Sequence, residues 1–186
     1  MESYINSILQ LLKRLGVRRY CLLGAMYDVV PHTRPLIITG SAQGAATEET
    51  VRRMGIEASS YEGPTTITVL ISQTAPEMGI ETMSAIVHLP QYAQVDEDYT
   101  GALRLLQILS SMYGLPISLS QLENDAERQR AEITEAAERN PQLRHMIRQI
   151  ETHYEARVKK DVDSSPGLSP EVEKFLRELG KRMEGE

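Results

Sequence analysis

Apolar residues recur at Ile5, Ile8, Leu9, Leu12 and Leu15, three and four positions apart, and Gly16 follows them. That spacing puts one apolar stripe on a helix over Ser3–Leu15, with the glycine as its stop. The next apolar run, Tyr20–Ala25, is too short for a helix and predicts a strand buried on both faces. Leu36–Thr39 reads as a second short strand, Gly40–Gly44 as a turn of small residues, and Glu48–Met54 as a brief helix. Pro64–Met78 fits two periods, since Ile67, Val69 and Ile71 alternate while Ile67, Leu70, Ile71, Ala75 and Met78 share a helical face. Gly63-Pro64 at its start, Gly79 at its end and its length select the helix. Thr82–Leu89 is then a strand, and Glu97–Met112 a helix closed by Gly114. The βαβα order predicts an α/β domain over residues 1–119, a three-layer α/β/α arrangement on a mostly parallel sheet.

Beyond Pro116 the pattern becomes charged, and residues 120–160 read as a helical extension. Ser120 with Glu123 predicts a capping box, and the helix it opens runs to Asn140-Pro141. A second helix carries Leu143, Met146, Ile147, Ile150, Tyr154 and Val158 on one side. Residues 161–169 form a polar linker, and residues 170–183 a terminal helix with Val172, Phe175, Leu176 and Leu179 on one face. The chain's only phenylalanine thus sits on an apolar face beyond a linker, as a docking helix would carry it, and Phe175, Leu176 and Leu179 are the candidate docking residues. Packing back onto the parent domain is the plainer use of the same face.

Charge then narrows the partners. The net charge of −6 is shared evenly, −3 in residues 1–122 and −3 in residues 123–186, so no basic patch is available for nucleic acid or an anionic membrane surface. Cys21 is the single cysteine, which excludes internal disulfides and cysteine-rich zinc sites and suits the reducing cytoplasm. No apolar run approaches the ~20 residues that span a bilayer, and no export signal opens the chain.

Chemistry concentrates in Tyr27–Pro35, a loop leaving the C-terminal end of a predicted parallel strand, where open α/β sheets hold ligands. It carries Asp28, Pro31, His32 and Arg34. Two readings stand side by side: a binding surface, or a connector whose prolines fix the backbone while Asp28 pairs with Arg34 or caps a turn. Tyr61, Glu62 and Gly63 form a second candidate at a predicted helix start, although Glu62 already complements the helix dipole and favours a structural cap. Gly40–Gly44 lacks the Lys-Ser/Thr end of a phosphate loop. His145 and His153 lie eight apart without a metal-binding pattern and read as surface residues, and His88 as a histidine hydrogen-bonded at a strand end. No nucleophile elbow exists, and Cys21 lies in an apolar strand. The residues therefore call for no metal and no cofactor, and favour a non-enzymatic protein.

In order along the chain, Gly24-Ala25, Asp28-Val29-Val30-Pro31-His32-Thr33-Arg34-Pro35, Ser60-Tyr61-Glu62-Gly63-Pro64-Thr65, Gly79-Ile80 and Leu89-Pro90-Gln91-Tyr92 resemble the motifs of the proteasome assembly chaperone 2 family, in its bacterial and archaeal members. The resemblance runs from about Tyr20 to Leu179 and implies a phosphorylase/hydrolase-like fold. It also implies a chaperone-like or scaffold protein that binds protein partners, among them proteasome-like or other oligomeric complexes. Family members usually carry further strands before the first helix, so this chain resembles a C-terminal portion of the usual length. A sheet shortened in that way exposes an edge, and self-association or a partner is expected to cover it. Gln91 stands where many bacterial relatives have histidine, which weakens a hydrolytic reading. Some archaeal relatives dock on proteasomes through a hydrophobic-tyrosine-X tail, and Lys181–Glu186 does not match it. The alternative is a hydrolase-, phosphorylase- or ATP-grasp-like enzyme or ligand-binding protein, with Asp28, His32, Arg34 and Glu62 around one pocket.

Overall fold

The computed structural model describes residues 2–59 and 66–164. Its elements are α1 (Glu2–Arg14), β1 (Arg19–Asp28), β2 (Ile38–Gln43), α2 (Ala45–Met54), β3 (Glu57–Ala58), α3 (Ile67–Thr74) with a 3-10 turn (Ala75–Met78), β4 (Glu81–Pro90), α4 (Tyr99–Tyr113), α5 (Ser120–Glu138) and α6 (Pro141–Ser164).

The sheet order is β1-β4-β2-β3. β1 runs parallel to β4 from Arg19↔Glu81 to Asp28↔Pro90, and β3 runs parallel to β2. β2 is antiparallel to β4, with Thr39 opposite Ile86 and Gly40 opposite Ala85. Two of the three pairings are parallel, as expected, but the chain reverses direction between β1 and β2 instead of crossing over.

Alternation along β4 explains the layers. Met83, Ala85, Val87 and Leu89 point to one face, where Cys21 and Leu23 of β1 join them against Ile108 and Leu105 of α4 and Val51 and Met54 of α2. Ile5 and Leu9 of α1 pack with Ile71, Ala75 and Ile80, with Tyr20 of β1 at the margin. α5 is tied to the start of α4 by Gln129, whose side chain accepts from the Tyr99 amide and donates to the Glu97 carbonyl.

Several sequence expectations are corrected. β1 is longer than Tyr20–Ala25 and lies at the edge of the sheet, half-buried and then exposed over Ala25–Tyr27, not buried on both faces. The second strand starts at Ile38, inside the expected Leu36–Thr39, and runs on to Gln43, absorbing most of the expected Gly40–Gly44 turn. Gly40 is a close-approach residue: a Cβ there would stand 1.9 Å from the Ser84 carbonyl oxygen. The turn is made by Gly44 alone, at φ +115°. The Ser120 capping box does not form, because Ser120 is already helical, its amide facing the Ser118 hydroxyl at 3.4 Å. α3 starts on Thr66, whose hydroxyl accepts from the Val69 amide, and α6 on Asn140, whose Oδ1 accepts from Gln142 and Leu143.

α6 continues through Ser164, so the first four positions of the expected 161–169 linker are helical. The two flanks of the sheet differ. β3 is two residues long, and Glu57 on it is held by Arg157 of α6 at 2.6 Å. β1 is ten residues long, and among the described residues no strand pairs with its outer side.

Candidate functional site

The loop after β1 begins on Asp28. Its Oδ1 accepts from the Val29 amide at 2.7 Å and its Oδ2 from His88 Nδ1 at 2.7 Å. A carboxylate only accepts, so Nδ1 carries a proton, and Nε2 lies 2.9 Å from the Thr39 hydroxyl. Burial alone would raise the Asp28 pKa, but the hydrogen bonds from His88 and Val29 and the charges of His88 and Arg157 outweigh it and hold the carboxyl below its usual range. An acid, an imidazole and a hydroxyl in line can activate a nucleophile. Here Thr39 and His88 are only 8% and 7% exposed, and the chain fastens β1, β4 and β2 together at one end of the sheet.

Val30 and Pro31 are buried next to it. His32 follows, also buried, and its partners determine its tautomer. The Thr134 hydroxyl donates to the Arg130 carbonyl, so it accepts from His32 Nε2 at 3.0 Å. Nδ1 is then the acceptor for the Tyr92 hydroxyl at 2.7 Å, and the same Tyr92 oxygen accepts the His32 amide at 2.8 Å. Every proton in this set has one acceptor when the ring is neutral. Burial pushes the His32 pKa down, the Glu151 charge draws it partly back, and Arg130 pushes it down further. Burial likewise raises the Tyr92 pKa.

Thr33 and Arg34 reach α6. The Thr33 hydroxyl donates to Glu151 at 2.5 Å, and Arg34 pairs with Glu151 at 3.2 Å and Glu155 at 2.8 Å. Tyr154 closes the set by donating to the Pro35 carbonyl at 3.0 Å. The loop therefore clasps the α5–α6 hairpin: His32 holds α5, and Thr33, Arg34 and Pro35 hold α6.

The expected pairing of Asp28 with Arg34 is not made. Asp28, His32 and Arg34 each turn to different partners, and Tyr61, Glu62 and Gly63, like Phe175, Leu176 and Leu179, lie outside the described residues. The cavities beside His32 measure about 20 and 110 Å3. Among the described residues no group of three or more His, Cys, Asp or Glu could hold a metal ion, and no helix is long and apolar enough to cross a membrane. His145 and His153 are exposed on α6, and His88 is hydrogen-bonded near its strand end, as read from the sequence. Thr39, Thr134, Glu151 and Glu155 carried no sequence signal, whereas Tyr92 stood in a recognised motif.

Comparison with known proteins follows this geometry. No curated protein matches the chain. Among solved structures, a protein of unknown function from Mycobacterium tuberculosis matches at TM-score 0.75 and 25% identity, covering 88% of this chain and 55% of that one. A proteasome-assembly chaperone homologue from the same organism matches at TM-score 0.65 and 25% identity, covering 78% of this chain and 61% of that one. A PAC2 family protein from Streptomyces avermitilis matches at TM-score 0.63 and 26% identity, covering 78% and 60%. The chain thus spans a little more than half the length of these relatives. The sequence profile of the PAC2 family matches residues 1–137, from α1 to the end of α5, and the chain belongs to that family.

Proposed function

We propose that this chain is a non-enzymatic, chaperone-like or scaffold protein that binds protein partners and associates with itself. The observation that carries this reading is the distribution of exposed apolar side chains. Of the ten large hydrophobic residues exposed among the described residues, nine lie on α1 or just after it, on β1 and its exit, or at the end of α4 and in the segment that follows. On β1 and its exit, Met26, Tyr27 and Val29 are 41%, 48% and 55% exposed. Tyr113, at the end of α4, lies under the Arg19 guanidinium and within 3.6 Å of Cys21 Sγ, so this exposed aromatic ring sits beside β1. Apolar surface gathered along an open strand suits a protein whose business is other polypeptides. The M. tuberculosis relative described as a proteasome-assembly chaperone homologue supports the same role, with proteasome-like or other oligomeric complexes as partners.

A pocket enzyme draws less support. Ligand pockets hold about 300–1,000 Å3; the cavities beside His32 are well below that, those at Val29 and Pro35, of about 450 and 400 Å3, are lined by none of Asp28, His32 and Arg34, and the polar groups of the loop are engaged in holding the hairpin. The test is affinity capture from the source cells beside a light-scattering dilution series, using wild type and a Met26→Glu/Val29→Glu variant. Specific partners and a concentration-dependent mass, both reduced in the variant, are expected. A chain that is monomeric at every concentration and retains no protein would overturn the reading.

A further inference from the structure

We propose that two copies of the chain join through β1, pairing antiparallel about a two-fold axis at Leu23 and extending the sheet across both copies. This rests on the self-association reading above and names its surface. The hydrogen-bond phase of the strand sets the register. The carbonyls of Arg18 and Asp28 accept from Glu81 and Gln91, so even-numbered residues of β1 direct their backbone groups toward β4. A residue's N–H and C=O point to the same side of a strand and alternate along it, so Arg19, Cys21, Leu23, Ala25 and Tyr27 present theirs outward.

Antiparallel bonding requires an outward residue opposite an outward residue. The register of greatest overlap, Arg19 opposite Asp28, sets odd against even and fails. Moving by one position places Leu23 on the axis, Cys21 opposite Ala25 of the second copy, and Leu22 opposite Gly24, where the missing side chain leaves room for it. The same register places the exposed Arg18 opposite Asp28, twice by symmetry, and Asp28 keeps its pKa low enough to be an anion there. The alternative shift, with Gly24 on the axis, separates these charges and sets Tyr20 against Asp28. Charge and phase therefore select one register for the proposed occupant, a second copy of this chain.

The phase also supplies a clean test, because a proline at Ala25 removes an outward donor and leaves the β1–β4 ladder complete. Sedimentation velocity on the full chain is expected to show a dimer whose dissociation constant rises about 100-fold in Ala25→Pro, two symmetric bonds being lost, with circular dichroism unchanged and the urea midpoint unchanged at dilutions where both proteins are monomeric. Arg18→Glu should weaken the dimer in a salt-dependent way. In Ala25→Cys the introduced thiol should oxidise to a covalent dimer with Cys21 of the second copy, because within one chain those positions are about 13 Å apart, beyond disulfide reach. A dimer that persists in Ala25→Pro overturns this contact while leaving self-association standing. A wild-type chain that is monomeric throughout, or that captures an extended segment of another polypeptide instead, overturns both this contact and self-association. Should Ala25→Pro unfold, an unaltered dimer in Arg18→Glu together with no covalent dimer in Ala25→Cys overturns the contact.

Discussion

Two surfaces begin at β1, and they differ in what they leave unsatisfied. The loop that follows the strand is rich in chemistry, yet His32, Thr33, Arg34 and the Pro35 carbonyl all find partners on α5 and α6. The outer side of the strand has little chemistry, yet among the described residues alternate backbone groups there face no strand, and Met26 and Tyr27 stand in solvent. A cluster of polar side chains signals a demand for partners, and the fold meets that demand internally. The surface proposed to bind lies where the sequence looked like ordinary core.

Breaking the strand from each side contrasts most strongly. Met26→Pro removes an inward donor from the β1–β4 ladder and should cost about 3 kcal/mol or more, read as a large drop in the urea midpoint, whereas Ala25→Pro should leave the monomer's midpoint in place. His32→Ala strands Tyr92 and Thr134 around a void and should cost about 2–4 kcal/mol, without changing the dimer seen by sedimentation. Should the dimer dissociate with it, the two surfaces are coupled and the comparison fails.

The next effect concerns pH. The folded pKa of His32 lies below its ordinary 6.5, so both states are neutral above that value and stability is complete there. As pH falls, the unfolded chain takes up the proton first, and stability is lost down through the folded pKa. Urea midpoints should therefore decline as pH falls through and below the ordinary histidine value, and His32→Asn should remove that part of the decline. Asp28, with its lowered pKa, adds a loss only below the ordinary carboxylate range, near 3.8. An unchanged slope in His32→Asn would mean that the neutral network is not what holds α5. The smallest effect is expected from Arg34→Ala, whose exposed pairs with Glu151 and Glu155 should shift the midpoint slightly. That shift should vanish at about 1 M salt, where screening acts within about 3 Å.

Helices and their stops were legible because they are local. Gly16, Gly79 and Gly114 all adopt positive φ, as the stop readings required. Whether a strand is central or at an edge depends on which neighbours arrive, and Tyr20–Ala25 has the composition of either. Gly40 read as a turn because small residues cluster there, while its actual constraint is the Ser84 carbonyl, 44 positions later. The loop stood out in the sequence for its polar residues, and in the structure those residues hold the α5–α6 hairpin. Its partners were invisible, since Thr134, Glu151 and Glu155 are ordinary residues of charged helices until the hairpin folds back.

The unequal flanks of the sheet govern how far assembly can go. Adding strands at both ends would give an open, fibre-like stack, but β3 offers two residues and Arg157 fastens Glu57 beside them. Only the β1 flank can extend, and an isologous contact there uses itself up in both copies at once. The blunt end at β3 would thus keep the proposed assembly finite, closing it at a pair.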